Sequence, residues 1–495
     1  LNLAAGMSAE LAGVQRGDLF FLSRCGLAGL AALGEPRLDL RRAFAEGADD
    51  VGRLAAAGWS ARAQDAATVL TNPAGMANLE GSQLLVGLQA LLGTVTTGLD
   101  GRYLYTRYYE DLNDVLRSTL DRADALMAAA VALDAKLDAA ALSDDQRFMI
   151  AHATHSYYGS TQLLDIDRKP FWVVNEGEYC MMNTLDLAVD QVFWELDRYP
   201  WLVRNLLDNF VRLYSYTDEI KVYQAEAALS SHAMDHDPSE PPPPPDAAQL
   251  ARPYDKKPGG ISFTHAMGAH NNFAPQGRSS YELANLTSTF SYMTAEQLCN
   301  WILTAACYMA KTRDTAWLKK NKKVIQACLT SMVNRGGEVG FAQYDSTKTV
   351  GGQEITTYDS LDHSLAQTRN NVYMAVKSWA TYRGLALMFR DLGDKATQER
   401  CQKLAEKVAG VVAEQPVDGV LPAVFEKSNP GYASRILPAV EGCMYPLYFV
   451  KTGYLKQKLE QVFGTPSEKK MYDVLKEHTR KLLLAAHDGA LVEAV

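Results

Sequence analysis

Residues 171–187 read FWVVNEGEYCMMNTLDL. Phe171, Trp172, Val173 and Val174 form a short unbroken apolar run, the pattern of a strand buried on both faces. That run delivers Asn175 and two carboxylates, Glu176 and Glu178, separated only by Gly177 and followed by Tyr179. A third acid, Asp186, comes after the Asn183-Thr184 pair. Acids set beside a glycine and an aromatic at the end of a buried strand suit a sugar site or a metal site. A second acidic stretch, GGQEITTYDSLDHSLAQTRNN (351–371), supplies Glu354, Asp359 and Asp362. The two stretches are expected to face each other across one pocket.

The chain around them is globular in composition. Its 495 residues, 47% hydrophobic and 22% charged, provide for two or three ordinary domains, or for one large helical domain with an appendage. A formal net charge of −9, with no Lys/Arg stripe interleaved with aromatics, argues against nucleic acid as a partner. Seven cysteines, an odd number without a CxxC, suit reduced thiols in a cytoplasmic protein better than a disulfide framework. Cys299 and Cys307 lie in an apolar helical run, where a thiol is ordinarily a small core residue. No run approaches the ~18 apolar residues of a membrane helix, and no basic segment precedes an apolar one at the start. No membrane partner is expected. The leading Leu1 suggests that the true start lies upstream.

Residues 1–100 are rich in Ala, Gly and Leu and carry no long helical period, so they read as a β-rich or irregular amino-terminal region. Within them, residues 57–92, around DAATVLTNPAGM, resemble the amino-terminal segment of the outer-membrane fatty-acid transporter family. The alternating strands of a barrel do not follow.

From residue 101 the texture is helical. YEDLNDVLRSTLDRADALMAAAVALDAKL (109–137) spaces its apolar residues by three and four, as amphipathic helices do. Ser143 is placed to cap the helix that begins DDQRF. Further helices are expected over 184–197, 201–214, 294–312, 315–334, 366–392, 395–414 and 467–486. Repeated helical units with polar loops between them point to a mainly α fold, an (α/α) barrel in the first instance, although bundles and solenoids give a similar pattern. Residues 224–258, with five consecutive prolines, interrupt the order as a surface insertion. Its His232, Asp235, His236 and Asp237 have metal-like spacing, but in so acidic a loop they read as solvated side chains. No metal site is expected.

Two carboxylates flanking a glycosidic bond perform retaining hydrolysis: one attacks the anomeric carbon, and the other protonates the leaving oxygen and then activates water. Trp172, Tyr179 and Tyr358 are of the kind that stacks on pyranose faces, while Asn and Asp fork hydrogen bonds to hydroxyl pairs. Acids near aromatics also occur in ordinary capped loops, so spacing alone leaves both readings open.

VNEGEYCMMNTLDL (174–187), GGISFTHAMG (259–268), MTAEQLCNWIL (293–303) and ITTYDSLDHSLAQTRNN (355–371) together resemble glycoside hydrolase family 52, the β-xylosidases. The resemblance is collinear from about residue 94 to about 450. It implies an amino-terminal β-sandwich, here a remnant, and an (α/α)6 barrel over 101–495. It also implies retaining exo-hydrolysis of xylo-oligosaccharides without a cofactor. By motif, Glu176 matches the nucleophile and Asp359 the general acid/base. A related β-glucosidase family shares an EG…EY…NT.D pattern and a TYD element, which makes Asp186, Thr357 and His265 candidate sugar-hydroxyl ligands.

Trp172, Asn175, Glu178, Tyr179, Tyr358, Asp362 and Arg369 complete the candidate substrate-binding set. Each has an ordinary counterpart. Glu178 competes with Glu176 for the nucleophile, Asp362 suits a cap or an ion pair, and His265 suits a satisfied core histidine. Arg369, with Asn370 and Asn371, is equally suited to tying down the next helix. The family's FTHDMG is FTHAMG here, so Ala266 replaces a carboxylate whose hydrogen bond to a hydroxyl would be worth ~2 kcal/mol. The family also continues past AAHDGALVEAV. A barrel without its last helices would expose apolar faces, which predicts marginal stability or oligomerisation, a homodimer in the simplest case. A β-glucosidase or other exo-glycosidase on the same fold, or an inactive carbohydrate-binding remnant, are the alternative readings.

Overall fold

The computed structural model describes residues 99, 101–176, 181–223, 253–269, 272–280, 292–349, 353–358, 367–456 and 462–487. Readings that fall on residues 1–98, on the prolines and the His/Asp cluster of 224–252, and on Glu178, Tyr179, Asp359 and Asp362 lie outside the described residues. The rest forms two units, divided within one strand between Val174 and Asn175.

The first unit contains β1 (Gly101–Tyr103), α1 (Leu112–Asp121), α2 (Ala123–Asp138), α3 (Asp144–Gly159), β2 (Thr161–Ile166) and β3 (Lys169–Glu176) as far as Val174. The amphipathic run at 109–137 is two helices, broken at Arg122. Ser143 caps α3 as expected, and reciprocally: its hydroxyl accepts from Gln146 N at 3.2 Å while Gln146 Oε1 accepts from Ser143 N at 3.0 Å. β2 pairs antiparallel with β1 and with β3, and Phe171, Trp172 and Val173 of the apolar run are the buried part of β3. Asp165 on β2 is nearly buried and is held by a two-pronged bond from Arg107. That guanidinium keeps its carboxyl below the ordinary carboxylate value.

The second unit takes Leu99 and, from Asn175, the last two residues of β3. In chain order it continues through β4 (Met181–Met182), α4 (Leu185–Arg198), α5 (Pro200–Leu213), β5 (Ser215–Tyr223), β6 (Tyr254–Phe263), β7 (Gly268–Ala269) and β8 (Asn272–Phe273). Then follow α6 (Thr294–Thr312), α7 (Thr315–Lys320), α8 (Lys322–Gly336), β9 (Asp345–Ser346), α9 (Val372–Asp391), α10 (Lys395–Ala413), α11 (Met444–Lys451) and α12 (Pro466–His487). Helices dominate. The expected helix at 315–334 is divided at Asn321 into α7 and α8. Among the described residues, no helix is long and apolar enough to cross a membrane.

Two helices form the centre of this unit. On α6 every residue from Thr294 to Ala310 is buried, and α9 is buried along nearly its whole length. A helix apolar all round has no surface for water, so it must be wrapped by others. α4 and α5 pack on α6, α9 packs on α6, α10 on α9, and α12 on α10. Cys299, Cys307, Cys328 and Cys401 are free and buried in this core.

The described end of the expected surface insertion at 224–258 is exposed and is strand. Tyr254–Pro258 belong to β6, which pairs antiparallel with β5, and β9 adds to the other edge of β5. Pro258 has no N–H to give to the ladder, and it stands opposite Glu219 where the register shifts. Gly260, at φ 109°, allows β6 to lie against α8: a Cβ there would come within 2.2 Å of Ser331 Oγ. Asp218 on β5 takes a buried bond from Arg335 and another from the Ser346 hydroxyl.

Candidate active site

Glu176 is the last residue of β3 and is half-buried. Its register partner is Met181, and Asn175 pairs with Met182, so the chain reverses and returns beside Glu176. Asn183 then adopts a left-handed conformation (φ 55°), a state asparagine tolerates better than most residues, and α4 starts. This places Asp186 in the first turn of α4, where the helix dipole favours a negative charge.

His265 lies in the turn between β6 and β7, and backbone bonds on both sides of it fix that turn. His265 O accepts from Leu185 N at 3.0 Å, and Met182 O accepts from Met267 N at 2.8 Å. Three residues after His265, Gly268 pairs with Met182 and lets β8 come close; a Cβ there would stand 2.1 Å from Asn272 O. The imidazole is buried, with Nε2 3.5 Å from Asp186 Oδ2. Burial pulls the histidine pKa down, but the charge of Asp186, reinforced by Glu176 and Glu296, overcomes it and the net shift is upward.

Asp186 is pushed up by burial and pulled down further by His265 and by a hydrogen bond from Thr357, so it is held below the ordinary carboxylate value. Its Oδ1 is buried with no hydrogen-bond partner among the described residues, a vacant acceptor within the cluster. Glu176 shifts the opposite way: burial raises it, the His265 charge opposes this, and Asp186 adds to it.

Thr357 brings in the second acidic stretch. Its Oγ1 is 3.0 Å from Asp186 Oδ2 and 2.8 Å from Glu296 Oε1, while its backbone N donates to Glu296 Oε2 at 2.9 Å. The segment 353–358 is braced behind it, with Thr368 donating through N to Glu354 O and through its hydroxyl to Ile355 O. Glu354, singled out above as one of three acids, is fully buried away from this cluster. It accepts from Ala295 N at the start of α6 and from Ser346 N, and burial pushes its pKa up to about 7. It serves as a cap delivered from a distant part of the chain.

A network that the sequence reading missed lies behind Thr357. Glu296 on α6 accepts from Tyr373 Oη at 2.6 Å and is 3.4 Å from Lys377 Nζ. Lys377 donates to Tyr373 Oη and forms an ion pair with Glu441 at 3.1 Å. Tyr358 and Tyr445 also donate to Glu441, at 3.1 and 3.2 Å. Asp190, one turn after Asp186 on α4, keeps an exposed surface. Even so, the atoms crowded about its carboxyl, and then the charge of Glu441, push it up to about 7. A legible signal did exist. Glu296 and Lys377 are lone charges in apolar helical runs, TAEQLCNWIL and VYMAVKSWA, and buried lone charges need partners.

The other candidates are distributed as follows. Tyr358 joins the network through Glu441, with its ring edge-on to Tyr373. Arg369 is buried and paired with Asp345 at 3.3 Å and Glu426 at 3.5 Å, the tying arrangement. Trp172 belongs to the first unit, buried opposite Leu163. Asn175 is half-buried beside Glu176. Among the described residues, no three His, Cys, Asp or Glu side chains gather as a metal site.

The sequence model of glycosyl hydrolase family 52 matches residues 61–239 and 244–308. Residues 61–92, read above as similar to a transporter segment, fall inside that match, which leaves the transporter resemblance without support. Two β-xylosidases of Geobacillus stearothermophilus are similar to the chain. One is 43% identical over 362 residues, 72% of this chain and 47% of that protein; the other is 38% identical over 331 residues, 66% and 48%. The chain therefore spans about half the length of these curated relatives. With the motifs at 174–187 and 259–268 inside the matched residues, the chain belongs to glycosyl hydrolase family 52.

Proposed function

We propose that this protein is a retaining β-xylosidase that releases xylose from the non-reducing end of xylo-oligosaccharides. Glu176 attacks the anomeric carbon and displaces the leaving oxygen, which takes a proton from Asp359. The deprotonated Asp359 then activates water, which attacks the same carbon and frees Glu176. Asp186, His265 and Thr357 bind sugar hydroxyls. Asn175, Trp172 and Tyr358, with Glu178, Tyr179, Asp362 and Arg369, remain proposed contributors to substrate binding.

The observation that carries this reading is the convergence of Asp186, His265 and Thr357, from three separate family motifs, on one buried hydrogen-bonded cluster. Glu176 feels the charges of two of them. The vacant Oδ1 of Asp186 supplies an acceptor that a substrate hydroxyl would satisfy, as a buried polar atom requires. The same reading assigns residues 101–495 to an (α/α)6 barrel domain and 1–100 to a β-sandwich remnant. The sequential packing of helices on α6 and α9 supports the barrel. The free, buried thiols support a cytoplasmic setting.

The test is hydrolysis of p-nitrophenyl β-xyloside by the purified chain, beside Glu176→Gln. Activity that vanishes in Glu176→Gln, together with azide rescue of Asp359→Gly, is the expected result. A cooperatively folded chain without activity would overturn the enzymatic reading in favour of a carbohydrate-binding remnant. Azide rescue of the Glu176 variant with retained stereochemistry would reverse the two roles.

A further inference from the structure

Glu296 has no part in the two-carboxylate mechanism, yet it is fully buried and surrounded by donors. It lies on α6, a helix closed to water along nearly its whole length. A carboxylate sealed in such a place is unfavourable unless its oxygens are satisfied, and here both are. Oε2 accepts from Thr357 N at 2.9 Å. Oε1 meets Tyr373 Oη at 2.6 Å, Thr357 Oγ1 at 2.8 Å and Lys377 Nζ at 3.4 Å. Two of these four contacts therefore go to one residue, Thr357, through its backbone and its side chain.

Thr357 has a single hydroxyl proton and a carboxylate on either side, Glu296 at 2.8 Å and Asp186 at 3.0 Å. Asp186 in turn faces His265 at 3.5 Å. The chain Glu296–Thr357–Asp186–His265 thus runs from the middle of the helical core to the acceptor left vacant on Asp186. Lys377 anchors its far end, held also by Glu441 at 3.1 Å.

We propose that Glu296 is a positioning residue of the glycosidase site: it clamps Thr357 by backbone and hydroxyl together, and through that hydroxyl it orients the Asp186–His265 pair that receives the sugar. The inference rests on the reading of Asp186 and His265 as sugar ligands. It is separable from the assignment of Glu176 and Asp359. It also carries an electrostatic consequence. Burial pulls the His265 pKa down, Asp186 most strongly raises it, and Glu296 is among the charges that raise it further.

The experiment uses the whole chain as parent, Glu296→Gln, Thr357→Val, Thr357→Ser and the double variant Glu296→Gln/Thr357→Val. Each is measured for p-nitrophenyl β-xyloside hydrolysis across pH, for thermal unfolding, and for the NMR titration of His265. Glu296→Gln and Thr357→Val are each expected to lose kcat/KM on the order of 10–100-fold, as a displaced binding group does. The double variant is expected to lose no more than Thr357→Val alone, because Glu296 acts through the link that this substitution already breaks. Thr357→Ser, which keeps the hydroxyl, loses less than Thr357→Val. His265 titrates lower in Glu296→Gln.

Losses that multiply in the double variant, or equal losses in Thr357→Val and Thr357→Ser, would overturn the proposal. The second comparison decides the matter if Glu296→Gln does not fold. A folded parent without activity would refute the glycosidase reading instead. The His265 titration would then decide this inference by itself, and an unmoved pKa in Glu296→Gln would end it.

Discussion

A carboxylate on the last residue of a strand can be half out of water while still facing the core, and Glu176 is in that position. Burial lifts its pKa, and the nearby His265 pulls it back. In its proposed role as nucleophile Glu176 must be ionised, so kcat/KM should fall as pH drops through a pKa above the ordinary carboxylate value. His265→Asn removes the opposing charge, raises Glu176 further and is expected to move this acid limb to higher pH. The pH–rate profile checks it, and a limb that stays in place or moves down contradicts the coupling. Glu176, Asp186, His265 and Thr357 were legible because each stands within a motif that carries the family resemblance. Glu296 and Lys377 were not, although both are single charges in apolar runs, because sequence does not show which charge meets which. Arg369 left two readings open, and only its pairing with Asp345 and Glu426 shows it holding chain to chain. Ala266, next to His265 in the chain, is fully buried.

Among the elements, helices were read closely and strands poorly. α6 occupies 294–312 as the spacing predicts, and α10 differs from its expected span by one residue at its end. A 3.6-residue period repeated over four or five turns averages out local exceptions. The β5–β6 hairpin has no such protection. SYTDEIKVY carries charges on a short strand, and Pro258 argues against its partner until the register shift beside it is seen. One close approach depends on a missing side chain. Gly442, in the 3₁₀ segment Leu437–Cys443, lies against α9, where a Cβ would stand 2.5 Å from Val376 O. Gly442→Ala must push the segment away, at a cost of ~2 kcal/mol, and Glu441 moves with it off Lys377. A lowered urea midpoint with an unchanged slope is the expected result; an unchanged midpoint would show that the segment yields freely.

At the scale of the whole molecule, stability should depend on pH through His478. Its Nδ1 accepts from Leu421 N at 3.0 Å and its Nε2 donates to Ile436 O at 2.9 Å, which requires the neutral ring. Burial lowers its pKa below the unfolded value, about 6.5. A depressed folded pKa gives stability that is fully present above the unfolded pKa and is lost as pH falls through the folded one. His478→Gln should therefore be less stable than the parent by ~1–2 kcal/mol at pH 7, with the difference shrinking toward pH 5 in denaturant titrations. A difference independent of pH would remove His478 as the cause. The mainly helical character of the chain and its family were legible in sequence. The division inside β3 was not, because one continuous strand serves both units, and a change from apolar to polar residues after Val174 reads equally well as the end of its buried part.

The bond from Thr357 to Asp186 joins residues 171 positions apart. Closing a loop of that length costs about 4–5 kcal/mol of chain entropy, whereas a hydrogen bond returns about 1 kcal/mol net. It cannot draw the chain together; it forms only after the helices between have condensed for reasons of their own. The cluster of Asp186, His265 and Thr357 is therefore a late product of folding, and a chain can regain most of its helix while that geometry is still absent.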